Sequence, residues 1–579
     1  MRATLLKYRT RLQTLLHLSE SQSMLVWAAV IGFLGALATI VFRECISGLQ
    51  ILLTGHSGSF VEIAKGLSWQ MRVLLPTCGG IVAGGFLVWA KRVPAGATSD
   101  YMEAVAIGDG RIPVRQTLLR SISSLATIAS GGSIGREGSM VQLSALCASL
   151  AGRLIHFPAS RLRLLVACGA AAGITSAYNA PIAGAFFVTE IVLGALVMES
   201  FGPVVVASVV ANITMRELPG YKPAYEMPYF PEVAGMEIAL FVLLGILAGF
   251  LAPQFLRLLD FSKRQFQKTA LPLPVRLGLG GLLVGLLSVQ VPEVWGNGYS
   301  VVNSLLHTDW LWSTVLLVLT FKIVATALTT GSGAVGGIFT PTLFVGAAIG
   351  FLFGDVAHTV LPHAISAPFA YAMVGMGAFL AAATSAPLMA ILMIFEMTLS
   401  YQVVLPLMLS CVVAYVVARS LNGKSMYDIT LKRHRDAAER VRLRGTQMSE
   451  LIKPAETVLP VTAPFAEITR MFLKYPVKYI YITDDENRYL GVVALQDLTS
   501  SLVDRQSTDG KQAGDYLRAH FLHEVTPDMS LGEALQVFLD HQGERLPVIA
   551  SLDDPRLLGV VYKTSLLDAY FRLDRAGTG

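Results

Sequence analysis

The chain has 579 residues, of which 53% are hydrophobic and 15% charged. A soluble domain carries about 25% charged residues, so this composition excludes a wholly soluble protein. A net charge of +5 over that length is too small and too dispersed for a nucleic-acid-binding face, and no nucleic-acid partner is expected. Cys45, Cys78, Cys147, Cys168 and Cys411 form no C-x-x-C pair and read as buried free thiols, and the scattered histidines suggest no metal.

Arg2, Lys7, Arg9 and Arg11 precede the first apolar run, which predicts a cytoplasmic segment over 1–22. Ala36-Leu37-Ala38 resembles a cleavage site, but the run begins late and is long, so a retained helix is expected. Apolar stretches follow around 24–42, 71–90, 163–199, 237–256, 275–291, 313–330, 341–354 and 387–418. A crossing needs about 20 residues. Several of these are too long or too short, which predicts tilted and broken helices, with membrane lipid as the surrounding partner.

Two glycine-rich breaks, Gly131-Gly132-Ser133-Ile134-Gly135-Arg136-Glu137-Gly138 and Gly331 to Pro341, each lead into another apolar segment. Helix starts exposed there present unpaired N–H groups and roughly half a positive charge, a seat for an anion that needs no fixed cation. Glu137 opens a helix running to about 152. Two readings of it stand. One is a first-turn acid that stabilises its helix, the other a tethered anion that competes with a transported one and leaves when protonated.

Ala180 to Glu190 returns as Ala386 to Glu396, an offset of 386 − 180 = 206, and the breaks return at nearly the same interval, Gly132 to Gly336 being 204. The membrane part, 23–427, is therefore a duplication with halves at about 23–215 and 237–427. The slightly acidic segment 215–236 belongs outside. The basic concentration from Arg419 to Arg444 belongs inside, so both termini are cytoplasmic and the halves are inverted. Inverted repeats place a site near the bilayer midplane, on discontinuous helices. A basic linker spans 428–445. After it, 446–579 carries a repeated β/α pattern with copies at about 446–503 and 520–575. The fold class is an all-α polytopic membrane domain followed by a soluble α/β pair.

G-R-E-G at 135–138, G-G-I-F-T-P at 336–341 and N-G-K-S-M-Y at 422–427 together resemble the CLC chloride channel and transporter family over most of 24–427, and the tandem module resembles the CBS pair. The resemblance implies a homodimer in a bacterial inner membrane, a pore in each subunit, Glu137 as gate, and chloride contacts at Gly135, Arg136, Ile338, Phe339 and the Tyr427 hydroxyl. Tyr427 alone would read as an interfacial anchor. The usual G-S-G-I-P is absent near 96–103. Ser99 or Thr98 supplies the hydroxyl there, or simply caps a helix. Ser139 replaces the proline after the gate motif. In the CBS-like pair Asp497 matches the ribose-binding acid, while Ala494 replaces the Thr or Ser before it. An adenine nucleotide and a purely structural role both remain open there.

Proton-coupled members of the family it resembles often carry two successive glutamates after Asn-Ala-Pro. Here Glu190 is followed by Ile191, and neighbouring helical residues point about 100° apart. That favours a chloride channel over a chloride/proton antiporter. No enzymatic activity and no cofactor beyond the carried chloride are expected. Ser133 fits G-x-S-x-G, so an intramembrane serine hydrolase is a distant alternative without an identifiable triad. Gly331 to Gly336 fits G-x-G-x-x-G, but no βαβ unit surrounds it. A divalent-cation carrier would need carboxylates converging in the membrane, where few acids besides Glu137, Glu190 and Glu396 exist.

Overall fold

The computed structural model describes residues 20–93, 100–106, 108–194, 198–217, 225–226, 228–231, 235, 237–361, 365–421, 425–427, 448–498, 510–519, 523–539 and 544–576. Ser99, the basic linker and most of the segment between the halves lie outside them. The chain separates into two compact units, Met1–Leu431 and Lys432–Gly579.

In the first unit the first half runs α1 (Glu20–Thr54), α2 (Phe60–Gly66), α3 (Trp69–Arg92), α4 (Tyr101–Ala106), α5 (Val114–Ala129), α6 (Glu137–Leu154), α7 (Ala159–Tyr178), α8 (Pro181–Phe187) and α9 (Met198–Arg216). The second runs α10 (Glu237–Lys268), α11 (Leu273–Gln290), α12 (Tyr299–His307), α13 (Trp312–Ser332), α14 (Phe339–Val360), α15 (Pro368–Thr384), α16 (Pro387–Thr398) and α17 (Val404–Ser420). Eight helices among the described residues are long and apolar enough to cross a membrane. Exposed leucine, valine and tryptophan side chains such as Leu52, Val41 and Trp69 cover their outer faces, which lipid, unlike water, accepts without cost.

The long apolar stretch 163–199 is broken twice. Asn179 takes a left-handed conformation, φ 60°, and Pro181 starts a new helix that runs into a π turn over Val188–Val192. The same break recurs just before stretch 387–418, with Ser385 at φ 58° ahead of Pro387, and the stretch itself is interrupted at Leu399, φ 50°. These are one local structure used twice, since a left-handed residue ends a helix and proline at the first position starts the next.

Packing repeats too. Helix α1 lies on α9 and α10 on α17, α6 on α7 and α14 on α15, while the equivalent helices α3 and α11 pack on each other. The offset at the breaks needs correction. Gly131 and Gly333, both left-handed at φ 98° and 102°, are 333 − 131 = 202 apart, against 206 at the later marker. The four-residue difference therefore arises between the two markers.

The two halves exchange carboxylates. Glu190 accepts from the N–H groups of Leu388 (3.3 Å) and Met389 (2.8 Å) at the start of α16. Its repeat equivalent Glu396 accepts from Ile182 (2.8 Å) and Ala183 (2.7 Å) at the start of α8. Each acid thus satisfies donors that a helix start leaves open and meets the positive end of its dipole. Glu190→Ala and Glu396→Ala should each cost about 1–3 kcal/mol. The check is thermal unfolding of detergent-purified protein, where unchanged melting in both variants would remove the tether.

The cysteines need correction as well. Cys168 and Cys411 are buried, Cys147 is half-buried, but Cys45 and Cys78 are exposed.

In the second unit β1 (Val458–Pro460), α18 (Phe465–Lys474), β2 (Tyr479–Thr483) and β3 (Tyr489–Ala494) form the first repeat, with β1 parallel and β3 antiparallel to β2. The second repeat has α19 (Leu531–Leu539), antiparallel β4 (Arg545–Ile549) and β5 (Leu557–Tyr562), and α20 (Lys563–Ala576). The entering chain pairs with the second repeat, Lys453 exchanging both backbone bonds with Val560 at 2.9 and 2.8 Å. Tyr481, Tyr489 and Val492 share one apolar cluster with Ile549, Leu557 and Val560, so the repeats form one body. Burial there pushes the phenols of Tyr481 and Tyr489 up.

Candidate functional site

The two glycine-rich breaks meet inside the first unit. Gly135 N–H donates to the Gly337 carbonyl and Gly337 N–H to the Gly135 carbonyl, both at 2.8 Å. This single antiparallel bridge sets the starts of α6 and α14 side by side. Neither start has a side-chain cap.

Glu137, the first residue of α6, is 1% exposed. Its carboxylate folds back over Gly135, where a Cβ would collide with Oε2, so only glycine leaves room for it. Oε1 accepts from the Tyr299 hydroxyl at 2.7 Å. Oε2 is buried without a hydrogen-bond partner among the described residues, and a buried carboxylate oxygen left so is costly. Tyr299 begins α12 after the left-handed Gly298. The Arg136 guanidinium lies 5.3 Å over its ring.

Behind Tyr299 the Thr340 hydroxyl donates to its oxygen at 3.3 Å, and Tyr178 meets Thr340 at 2.8 Å. Aromatic rings line the other direction: Tyr178 to Phe339 at 5.2 Å, Phe339 to Phe187 at 6.5 Å, Phe187 to Tyr427 at 6.1 Å. The segment carrying Tyr427 is tied to the end of α15, Met426 N–H donating to Ala383 O and the Ser425 hydroxyl to Thr384 O, both at 2.8 Å.

A cavity of about 500 Å³ opens beside these groups. Glu137, Ser139, Ile338, Phe339 and Tyr427 line it, with Asp100, Arg120 and Lys263 elsewhere on its wall. Glu137, Ile338, Phe339 and Tyr427 are thus brought to one space. Gly135 and Arg136 are not among its lining residues. The Gly135 N–H is taken by Gly337 O, so it has no proton to give an anion, and Arg136 covers Tyr299 instead.

Sequence reasoning missed Tyr299, Thr340 and Tyr178. Thr340 lay within a quoted motif, and the Gly-Asn-Gly before Tyr299 marks a turn, but nothing in the spacing joins the three.

The other sequence-derived candidates fall elsewhere. Ser133 is fully buried, its hydroxyl on Thr326 (3.1 Å) and its N–H on the Thr329 hydroxyl (3.2 Å), an arrangement that offers no base. The G-x-G-x-x-G string joins two helices, α13 and α14, rather than a strand and a helix. Asp497 is paired with the Arg518 guanidinium, which a ribose would have to displace.

The family model described as voltage gated chloride channel matches residues 78–419, and the CBS domain model matches 448–504 and 519–572. The chain belongs to the voltage-gated chloride channel, or CLC, family. A putative chloride channel protein ClcB-like of Ralstonia nicotianae is 56% identical over 418 residues, 71% of this chain and 97% of that protein. The voltage-gated ClC-type chloride channel ClcB of Salmonella typhimurium is 42% identical over 70% of this chain and 97% of its own length. Among solved CLC structures, a slow cyanobacterial Cl−/H+ antiporter superposes with a TM-score of 0.63 at 27% identity, covering 73% of this chain and all of that one. A eukaryotic CLC transporter matches at 0.61 and 18% identity over 94% of this chain and 97% of its own, a likeness of fold alone. This CLC chain is a multi-pass membrane protein with a CBS pair, and chloride is the ion its family carries.

Proposed function

We propose that the protein is a chloride channel of the bacterial inner membrane, with both termini cytoplasmic and each subunit of a homodimer holding its own pore. The observation that carries this is the glycine bridge, which sets two uncapped helix starts together around a buried carboxylate at the head of a cavity. The Ile338 and Phe339 N–H groups and the Tyr427 hydroxyl supply donors to a chloride in that cavity. Arg120 and Lys263 draw anions into it. The Glu137 carboxylate occupies the anion's place and blocks passage until it is protonated or displaced.

The channel mode is supported by the residue pair after the first Asn-Ala-Pro. Ile191 is 3% exposed and apolar, and the Glu190 carboxylate is spent on the start of α16, so neither hands protons to Glu137. The likeness to the cyanobacterial antiporter favours the second reading, chloride/proton antiport. In planar bilayers at fixed chloride, a pH gradient should leave the reversal potential of the current at the chloride equilibrium value. A shift that tracks the proton gradient would replace the channel reading with antiport.

A further inference from the structure

We propose that Tyr299 is the latch of the Glu137 gate: its phenol holds the carboxylate shut through a hydrogen bond that must break before an anion passes, and Thr340 and Tyr178 keep the phenol's proton turned toward Glu137. This rests on the reading of Glu137 as the gate and adds what holds it closed.

A hydroxyl has one proton to give. Tyr299 gives its own to Glu137 Oε1 at 2.7 Å, and Thr340 gives its own to Tyr299 at 3.3 Å. The remaining bond, Tyr178 to Thr340 at 2.8 Å, must then be donated by Tyr178. All three donors point one way and end on the carboxylate. Each bond polarises the next, so the chain grips an ionised Glu137 more strongly than Tyr299 alone. Geometry keeps it there: Tyr178 is 2% exposed and Thr340 fully buried, which shuts solvent out of that end of the chain.

The other charged and titratable groups facing the carboxylate do not offer the same hold. Arg136 stands over the Tyr299 ring at 5.3 Å, and Tyr225 meets that ring edge-on at 4.8 Å with its hydroxyl buried and, among the described residues, unpartnered. Asp100, Arg120, Lys263 and Tyr427 face it only across the cavity. Among the described residues Oε1 has no other donor, so losing the Tyr299 hydroxyl frees the side chain to swing out.

A hydrogen bond to a charged group is worth enough to change an equilibrium roughly tenfold or more. Chloride efflux from liposomes at about pH 7.5, using the full-length protein, should therefore rise roughly tenfold in Tyr299→Phe. Glu137→Ala should also rise, and the double variant should equal Glu137→Ala alone, because a latch has no effect once its gate is gone. A mere change of packing at residue 299 would alter both backgrounds alike, and equal increments would overturn the latch. So would wild-type efflux in Tyr299→Phe beside fast efflux in Glu137→Ala, an outcome that leaves the gate standing. Wild-type efflux in Glu137→Ala would remove gate and latch together. Should Tyr299→Phe not fold, Thr340→Val carries the same comparison with the ring intact, expected at roughly threefold above wild type and at no increment over Glu137→Ala.

Discussion

Glu137→Gln should transport chloride at a rate that no longer depends on pH. The amide keeps the shape of the side chain and can still accept from Tyr299, but it carries no charge to compete with chloride and cannot take a proton. Two negative charges about 4 Å apart repel by about 4 kcal/mol at an effective dielectric of about 20, so removing one should raise flux at neutral pH by at least roughly tenfold. Liposome efflux measured between about pH 4 and pH 8 tests this, and a wild-type pH curve in the variant would end the assignment of Glu137 as gate.

Gly131→Ala should abolish folded protein. Gly131 sits at φ 98°, where a side chain is strained, and its Cβ would lie 2.5 Å from Cδ2 and 2.7 Å from Cε2 and Cε3 of Trp295. Trp295 is 1% exposed and has nowhere to go. Its loop is held by Lys322, whose buried ammonium donates to the carbonyls of Val294 (2.8 Å) and Gly296 (2.7 Å). Four residues on, the same loop delivers Tyr299. Strain and collision together exceed about 3 kcal/mol, a large part of a marginal stability. Size-exclusion chromatography in detergent should show aggregate, and a normal monodisperse peak with wild-type melting would refute the packing argument.

The glycine breaks, the duplication and the CBS pair were legible because each is written in the order of residues: glycine-rich strings, a repeated Ala-Pro start, a strand and helix pattern that recurs. Helix α5 was not, since no long apolar run marks it, and α6 was legible only from the glycine break that opens it at Glu137. Helix α5 buries Thr117, Ser121, Ser123 and Ser124, and α6 buries Ser139, Ser144 and Ser149. Ser144 Oγ, for one, donates to Gly35 O at 2.9 Å, so a hydroxyl-rich helix face is accommodated against protein and needs no long apolar run. The same limit hid the hydroxyl chain behind Glu137. Residues 178, 299 and 340 come from three helices, and only folding brings them together. The repeat predicted that Glu190 and Glu396 are equivalent, but not that each would serve the other's half.

That exchange bears on how the protein is made. When Glu190 leaves the ribosome, the amides it will bind are about two hundred residues from being synthesised, and those at 182 and 183 wait equally long for residue 396. Until then the amino-terminal half holds an acid and a helix start with no mates inside a bilayer. Its final closure is therefore a late event in biogenesis, and a chain interrupted before residue 396 cannot finish even the part already translated.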